Sequence, residues 1–165
     1  MDCSVEDRAE IEDLLARYCF ALDTKNFDDL RNVMTDDVVF DYTDEFGEPH
    51  QGVEAVIDVV RAALTPHPAS IHAALTTRVR STGADTASAS THAISVSVVD
   101  GERVPGRTDT TFVVFCTWLD DYVRTTGGWR LKRRKLNVVS SLGDSGKWDP
   151  ETLAGQAFRR VTGEL

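Results

Sequence analysis

The spacing of apolar residues near the start of the chain predicts an amphipathic helix. Its apolar stripe recurs at intervals of about three and four residues and consists of Ile11, Leu14, Leu15, Tyr18, Cys19 and Leu22. Ser4 is placed to cap this helix, and Glu6 and Asp7 fall in its first turn, where the helix dipole favours negative charge. The helix is expected to end near Asp23 and Thr24.

Two shorter helices and a strand are predicted to follow. Residues 26 to 34 have a helical pattern, and its apolar side is formed by Phe27, Leu30, Val33 and Met34. Residues 38 to 42 are rich enough in β-branched and aromatic side chains to predict a strand. A loop over residues 43 to 51 then leads to a third helix over residues 52 to 64, which Pro66 ends.

The second half of the chain changes to a strand-like pattern. Four stretches rich in valine, threonine and aromatic residues are expected to be strands, namely residues 71–80, 86–99, 108–123 and 129–139. Asp149 and Pro150 then start a final helix. Helices followed by a strand meander indicate an α+β fold, in which helices pack on one face of a strongly curved antiparallel sheet.

The length of the chain and its lack of linkers predict one domain over residues 1–165, with residues 144–165 as a C-terminal tail helix. The apolar stripe of this tail consists of Leu153, Ala157, Phe158 and Val161. A stripe of this kind needs a surface to cover. We therefore expect the tail to pack over the mouth of a pocket or on a neighbouring subunit.

The chain is acidic, with a formal net charge of −9. Nucleic acids and anionic membranes bind basic surfaces, so this charge argues against both as partners. One basic run, residues 132–135, lies inside an alternating strand pattern. Its side chains are therefore expected to point to opposite faces of the sheet rather than to form a patch.

The three cysteines, Cys3, Cys19 and Cys116, form no close pair and no C-x-x-C motif. An odd number of cysteines without a signal-peptide pattern predicts reduced thiols in a cytoplasmic protein. No apolar run approaches the roughly eighteen residues that a membrane span needs, so no membrane partner is expected.

Familiar cofactor and nucleophile motifs do not occur in the sequence. There is no G-x-G-x-x-G, no P-loop and no G-x-S-x-G. The histidines lack the H-E-x-x-H or cysteine–histidine spacing of a metal site. We therefore expect neither a cofactor nor a metal ion.

Asp23 and His72 are the first candidates for proton-transfer chemistry. Asp23 closes a helix, where the dipole disfavours a carboxylate unless a cation or a hydrogen-bond donor compensates it. A solvated aspartate at a helix end is the alternative interpretation. The strand face of His72 also carries Ala74, Thr76 and Arg78. Such a face lines either a polar pocket or the solvent, and the alternation alone leaves both open.

His92, Tyr42 and Tyr18 are further candidates. The strand face of His92 also carries Ile94, Val96 and Val98. This face is predicted to be buried, so His92 needs a hydrogen-bond partner, either as a core residue or in a site. Tyr42 and Tyr18 are either amphipathic core residues or neutral donors to a developing enolate oxygen.

Four segments of the chain carry a resemblance to a known family. They are Tyr18–Asp23, Asn26–Leu30, Val39–Tyr42 and Gly128–Leu131. Over roughly residues 5 to 140 the chain resembles the SnoaL-like branch of the nuclear-transport-factor-2-like superfamily, whose fold is a cone-shaped α+β domain. Within that superfamily it looks most similar to scytalone dehydratase and the bile-acid 7α-dehydratase.

The resemblance implies roles for the candidate residues. Asp23 falls where the family has an aspartate that orients a histidine base, and His72 falls at the position of that base. Tyr42 and Tyr18 match functional tyrosines, and His92 takes the place of a second histidine. The sequence departs from scytalone dehydratase at three positions. Leu22 stands where that enzyme has a tyrosine beside its aspartate, and Cys116 and Trp118 stand where it has a serine and an asparagine that contact substrate.

The function that this resemblance implies is a lyase acting on small molecules of the steroid or polyketide kind, in secondary metabolism. It would remove water from a hydroxylated, carbonyl-containing polycyclic or aromatic substrate without a cofactor. Strand alternation predicts an apolar cup of Phe40, Phe112, Val114, Trp118, Leu136 and Val138. Arg134 shares the parity of Leu136, so it is a candidate for a polar substrate contact, with a surface or salt-bridged arginine as the alternative.

Two other functions are compatible with the same residues. A ketosteroid-isomerase-like isomerase or a polyketide cyclase would use the same base and hydroxyl donors but would not release water. A non-catalytic ligand-binding or assembly module would not require Asp23 and His72 to meet. A homo-oligomer, either a dimer or a trimer, is expected in each case.

Overall fold

The structure, a computed structural model, describes residues 3–43, 48–99 and 110–143. The helical elements are α1 (Val5–Asp23), a 3-10 helix (Phe27–Asn32) and α2 (Val53–Leu64). The strands are β1 (Met34–Asp41), β2 (His50–Gln51), β3 (Ala69–Gly83), β4 (Thr86–Val99), β5 (Thr110–Thr125) and β6 (Gly128–Leu142). The predicted tail helix lies outside the described residues.

Helix α1 has the predicted bounds because its two ends are chemically defined. The Ser4 hydroxyl accepts a hydrogen bond from the Asp7 amide at 3.0 Å, which satisfies one of the free donors of the first turn. At the other end, Lys25 adopts a left-handed conformation with φ of 58° and stops the helix. Its ammonium group donates to the Leu64 carbonyl at 3.1 Å and so ties the end of α1 to the end of α2. Asp23 is thereby fixed at the last helical position.

The six strands form one sheet in the order β2-β1-β6-β5-β4-β3. The predicted α+β class with a curved sheet is confirmed, but the sheet is mixed rather than wholly antiparallel. β1 pairs parallel to β6, whereas every other neighbouring pair is antiparallel. A parallel pair needs a long crossover, and here the connection contains every element from β2 through β5.

The prediction of a second helix reaching Met34 was wrong. The 3-10 helix ends at Asn32, and Met34 already belongs to β1. The apolar side chains that suggested a longer helix are nevertheless buried, because Val33 and Met34 pack in the core. A short apolar run does not distinguish a helix turn from the start of a buried strand.

Irregularities in strand pairing re-aim side chains along the sheet. The β3–β4 register shifts between Ala74 and Thr76, and the β5–β6 register shifts after Phe115 and after Asp121. A bulge inserts one residue and reverses the inward and outward alternation beyond it. In β3, His72 and Val79 therefore face inward although their positions differ by an odd number.

The helices cover one face of the sheet, and the hydrophobic core lies between. Helix α1 packs on β3 and β6, whereas α2 packs on β1 and β2. Aromatic and aliphatic side chains from both layers are almost fully buried, including Tyr18, Phe40 and Trp118. Within the described ranges, no helix has the length and apolar character needed to cross a membrane.

Candidate active site

Asp23 lies where α1 meets the edge strand β3, and its carboxylate is surrounded by donors. Its Oδ1 atom lies 2.7 Å from the Nδ1 atom of His72. Both carboxylate oxygens also accept from the backbone N–H of His72, at 3.0 and 2.9 Å, and the Ser70 hydroxyl donates at 3.4 Å. These donors compensate the unfavourable field of the helix end. The expected contact between Asp23 and His72 is therefore confirmed.

The contact with Asp23 defines the state of the His72 ring. A carboxylate only accepts hydrogen bonds, so in the neutral imidazole Nδ1 carries the proton and Nε2 has the free lone pair. The side chain of His72 is 10% exposed and that of Asp23 19% exposed. The Nε2 atom lies 3.2 Å from the hydroxyl oxygen of Ser95, the residue opposite His72 on β4. His72 thus presents one basic nitrogen on the inner side of the sheet.

His72 lines a partly open cavity of about 110 Å³ between the helices and the sheet, which we call the inner cavity. The wall is mostly apolar and includes Leu22, Val60, Leu64, Phe112, Val114, Trp118 and Leu136. Its polar groups come from Tyr18, Tyr42, His67, His72, Ser95 and Ser97, with the Cys116 thiol beside them. An apolar chamber with a few convergent polar groups is typical of a small-molecule site.

Two tyrosines form one wall of this cavity. Tyr18 is 2% and Tyr42 9% exposed. Burial raises the pKa of the Tyr18 hydroxyl, and this effect is opposed by the positive charge of Arg134 and by a hydrogen bond with Tyr42. The raised pKa keeps the phenol protonated, as a neutral donor must be. The ring of Tyr42 stacks on Phe40 at 5.1 Å, which fixes its orientation.

Arg134 does not line the cavity but lies behind its aromatic wall. It is fully buried and binds Asp120 through two hydrogen bonds of 2.8 and 2.7 Å. Its guanidinium carbon lies 4.3 Å from the centre of the Tyr18 ring and 4.1 Å from that of Trp118. Burial alone would lower the pKa of Arg134, but the carboxylate of Asp120 raises it well above its usual value. Of the two interpretations of Arg134 drawn from the sequence, the salt-bridged arginine is therefore correct. The suggested contact with substrate is not supported.

Two other candidates have positions different from those expected. His92 is exposed, because its neighbours Thr91 and Ala93 face inward, as do Ser95 and Ser97 farther along β4. The larger aliphatic side chains of this strand instead face outward, where they are only partly covered. The predicted buried face of β4 was therefore wrong, because small side chains leave room for the cavity. Phe40 is fully buried beneath Tyr42 rather than in the cavity wall.

Three polar residues of the cavity escaped prediction from the sequence. Ser95 and Ser97 on β4 looked like an exposed strand face, since alternation with valine and isoleucine suggested the opposite parity. His67 lies between Pro66 and Pro68 and is 4% exposed. A histidine between two prolines directly after a helix is a restrained position, and that was the available signal.

A second, outer cleft of about 400 Å³ runs between α1 and β3. It is lined by Glu12, Leu15, Ala16, Cys19, Phe20, His72, Ala74, Leu75 and Thr77. His72 thus borders both the inner cavity and the outer cleft. Burial raises the pKa of the Cys19 thiol to about 11, so this cysteine is protonated at neutral pH.

Comparisons with known proteins identify a matching family and several similar proteins. The SnoaL-like domain matches residues 4–135. The Mycobacterium tuberculosis protein Rv2910c is 35% identical over 132 residues, which cover 79% of this chain and 84% of that protein. Among solved structures, Kfla4162 from Kribbella flavida is 27% identical with a TM-score of 0.77, over 91% of this chain and 97% of that one. A scytalone-dehydratase-like protein from Novosphingobium aromaticivorans is 17% identical with a TM-score of 0.72, over 84% and 87% of the two chains, and this likeness shows the fold alone.

Proposed function

Since this chain belongs to the SnoaL-like domain family, we propose that it is a cofactor-independent dehydratase for a hydroxylated, carbonyl-containing small molecule. The observation that carries this proposal is the pairing of Asp23 with His72 at the wall of an apolar cavity. A base oriented by a carboxylate and shielded from bulk water is suited to removing a proton next to a carbonyl.

In the first step, Nε2 of His72 removes the proton α, or vinylogous, to the carbonyl group. Asp23 holds the ring in the tautomer that leaves Nε2 unprotonated, and it stabilises the imidazolium that forms. Substrate must displace the Ser95 hydroxyl, which occupies Nε2 in the free protein. The electron pair of the broken C–H bond moves toward the carbonyl oxygen, and it then forms the double bond as the hydroxyl group leaves.

The carbonyl oxygen gains negative charge during this step and needs donors. Tyr42, with Tyr18 beside it, supplies phenolic O–H groups from the cavity wall. Because Phe40 supports Tyr42 by stacking and Arg134 lies over the ring of Tyr18, both rings are oriented before substrate binds. Donors oriented in advance stabilise a developing oxyanion without a cost of reorganisation.

Tyr42→Phe is expected to lower kcat by about 10²-fold, because it removes one donor to the oxyanion and retains the ring. Its melting temperature should stay close to that of the wild type, since the stack on Phe40 is preserved. Steady-state kinetics with thermal unfolding measures both quantities. A Tyr42→Phe enzyme with wild-type kcat would assign the oxyanion contact to another group, and Tyr18→Phe is the next variant to measure.

The size of the inner cavity bears on the substrate. A cavity of roughly 150 Å³ accommodates benzene, so a chamber of about 110 Å³ is smaller than a whole ring requires and suits a compact reacting portion of a substrate. The outer cleft of about 400 Å³, which shares His72, offers space for the rest of a larger molecule. We therefore favour a substrate whose reacting portion enters the inner cavity, with a bulkier polycyclic or aromatic remainder outside it.

Mass spectrometry in heavy water tests the reaction class. Purified protein is incubated with a panel of β-hydroxy ketones, from β-hydroxycyclohexanone to hydroxylated polycyclic ketones. A dehydratase yields a product lighter by one water, whereas an isomerase or a cyclase yields a product of unchanged composition apart from deuterium exchange. A ligand-binding module gives a shift in melting temperature without any product. Unchanged mass with a new retention time, or binding alone, would contradict the dehydratase assignment.

Asp23→Asn is expected to slow turnover by about 10²-fold, because an amide orients the imidazole less well and stabilises imidazolium less. Combining it with His72→Gln should cost little more than His72→Gln alone, since both side chains act in one unit. Kinetics of the two single variants and the double variant measure this coupling. Losses that multiply in the double variant would mean that the two residues act independently.

A further inference from the structure

His67 is a second imidazole in the cavity that contains His72. It follows α2 directly and precedes β3. Its backbone N–H donates to the Leu64 carbonyl at 3.1 Å, and its side chain is 4% exposed and lines the inner cavity. The histidines of the chain are His50, His67, His72 and His92, and of these described residues His67 and His72 line that cavity.

The backbone around His67 is restrained on both sides. Pro66 has its φ angle fixed by its ring, and Pro68 restricts the conformations open to His67. The hydrogen bond to Leu64 ties the same segment to the end of α2. The imidazole is therefore carried by a short, rigid connection, which is the kind of support that a positioned acid or base requires.

The proposed elimination involves two proton transfers, one from carbon and one to the departing hydroxyl group, and protonated His72 can make the second only if both groups leave from the same face of the substrate. Nδ1 of His72 is committed to Asp23, so only Nε2 of His72 can exchange a proton with substrate. When Nε2 has taken the proton from carbon, the departing hydroxyl group still needs a proton to leave as water. A second imidazole in the same cavity meets that requirement, because the ordinary pKa of histidine is close to neutral pH.

We propose that His67 binds the departing hydroxyl group and supplies the proton with which it leaves as water. This inference rests on the proposed dehydratase function. His67 enters this reaction as the imidazolium. His72 gains the proton from carbon, the C–H pair becomes the double bond as the C–O bond breaks, and the oxygen departs with the proton from His67, which becomes a neutral imidazole. The imidazolium of His72 then returns a proton to His67 through the released water, so that both residues regain their starting states.

The test compares two leaving groups in the same variants. Wild type, His67→Gln and His92→Gln are assayed with β-hydroxycyclohexanone and with its β-acetoxy counterpart. The uncatalysed rate of each compound is subtracted. Acetate leaves as an anion without protonation, so it bypasses a leaving-group acid. We expect His67→Gln to lose about 10²-fold with the hydroxy ketone and no more than a few-fold with the acetoxy ketone. His92→Gln, a histidine on the exposed face of β4, should match the wild type with both.

Each other outcome counts against a stated part of the proposal. Equal losses with both leaving groups would mean that His67 shapes the cavity rather than protonating the hydroxyl group, and no loss with either would remove it from the reaction. His67→Asn, measured in parallel with the melting temperature of each variant, separates these results from misfolding. A wild-type protein that converts no member of the β-hydroxy ketone panel would overturn the dehydratase function itself and this role with it.

Discussion

His72→Gln is expected to reduce turnover by about 10²–10⁴-fold, the usual contribution of a positioned acid–base group. Glutamine keeps a hydrogen-bonding side chain of similar reach, so it can still contact Asp23, but it cannot accept a proton at neutral pH. Substrate affinity and melting temperature should therefore change little. Stopped-flow or steady-state kinetics on the β-hydroxy ketone converted most rapidly, with binding measured separately, checks this prediction.

The control for this experiment is His92→Gln, the same chemical change at an exposed position of β4. It should retain wild-type turnover, because His92 faces away from the cavity. A His72→Gln enzyme with undiminished turnover would place the base elsewhere in the cavity, with His67 as the next residue to replace.

Arg134→Met is expected to lower the free energy of unfolding by about 3–5 kcal/mol, the cost of breaking a buried ion pair on one side. The carboxylate of Asp120 is 2% exposed and accepts from both Arg134 and the Tyr122 hydroxyl. Methionine fills part of the volume of arginine but leaves that charge buried without its main partner. For a chain of this size, the melting temperature should fall by roughly 10 °C, and urea unfolding measures the free energy directly.

The neighbouring Arg133 provides a matched control. Its side chain is 50% exposed and lies 3.5 Å from Asp41, so Arg133→Met should change stability by less than about 1 kcal/mol. Replacing both buried partners, in Arg134→Met with Asp120→Leu, should recover much of the loss, because no uncompensated charge then remains. If Arg133→Met and Arg134→Met lowered the free energy of unfolding equally, burial would not be what makes the ion pair of Arg134 and Asp120 important.

The first helix and the pairing of Asp23 with His72 could be anticipated from the sequence. Helix capping by Ser4 and an apolar stripe of helical period are local signals, and the motifs resembling the SnoaL-like family placed the aspartate beside the histidine. Membership of that family is confirmed. The catalytic roles of Asp23, His72, Tyr42 and Tyr18 and the expected oligomer stay predictions.

The features that could not be anticipated depend on contacts distant in sequence. Strand alternation assigns parity from hydrophobicity, but the cavity requires small side chains such as Ser95 and Ser97 on the inner face of β4. The shift in register after Ala74 reverses the alternation of β3 without a proline or glycine to mark it. Likewise, the sequence alone makes Arg134 part of a basic surface run. The structure shows that Asp120 lies directly opposite it on the adjacent strand.

The carboxylate of Asp23 also has a consequence for the colloidal behaviour of the protein. β3 is an outermost strand of the sheet, and the backbone N–H of His72 points away from β4 to Asp23. An unpaired amide at a sheet edge is a template for strand addition by another chain. Asp23 occupies that amide and so blocks intermolecular β-pairing at the point where the imidazole is held. If the acid–base chemistry were lost in evolution, selection would still favour an aspartate at position 23, because it would continue to protect the sheet edge against aggregation.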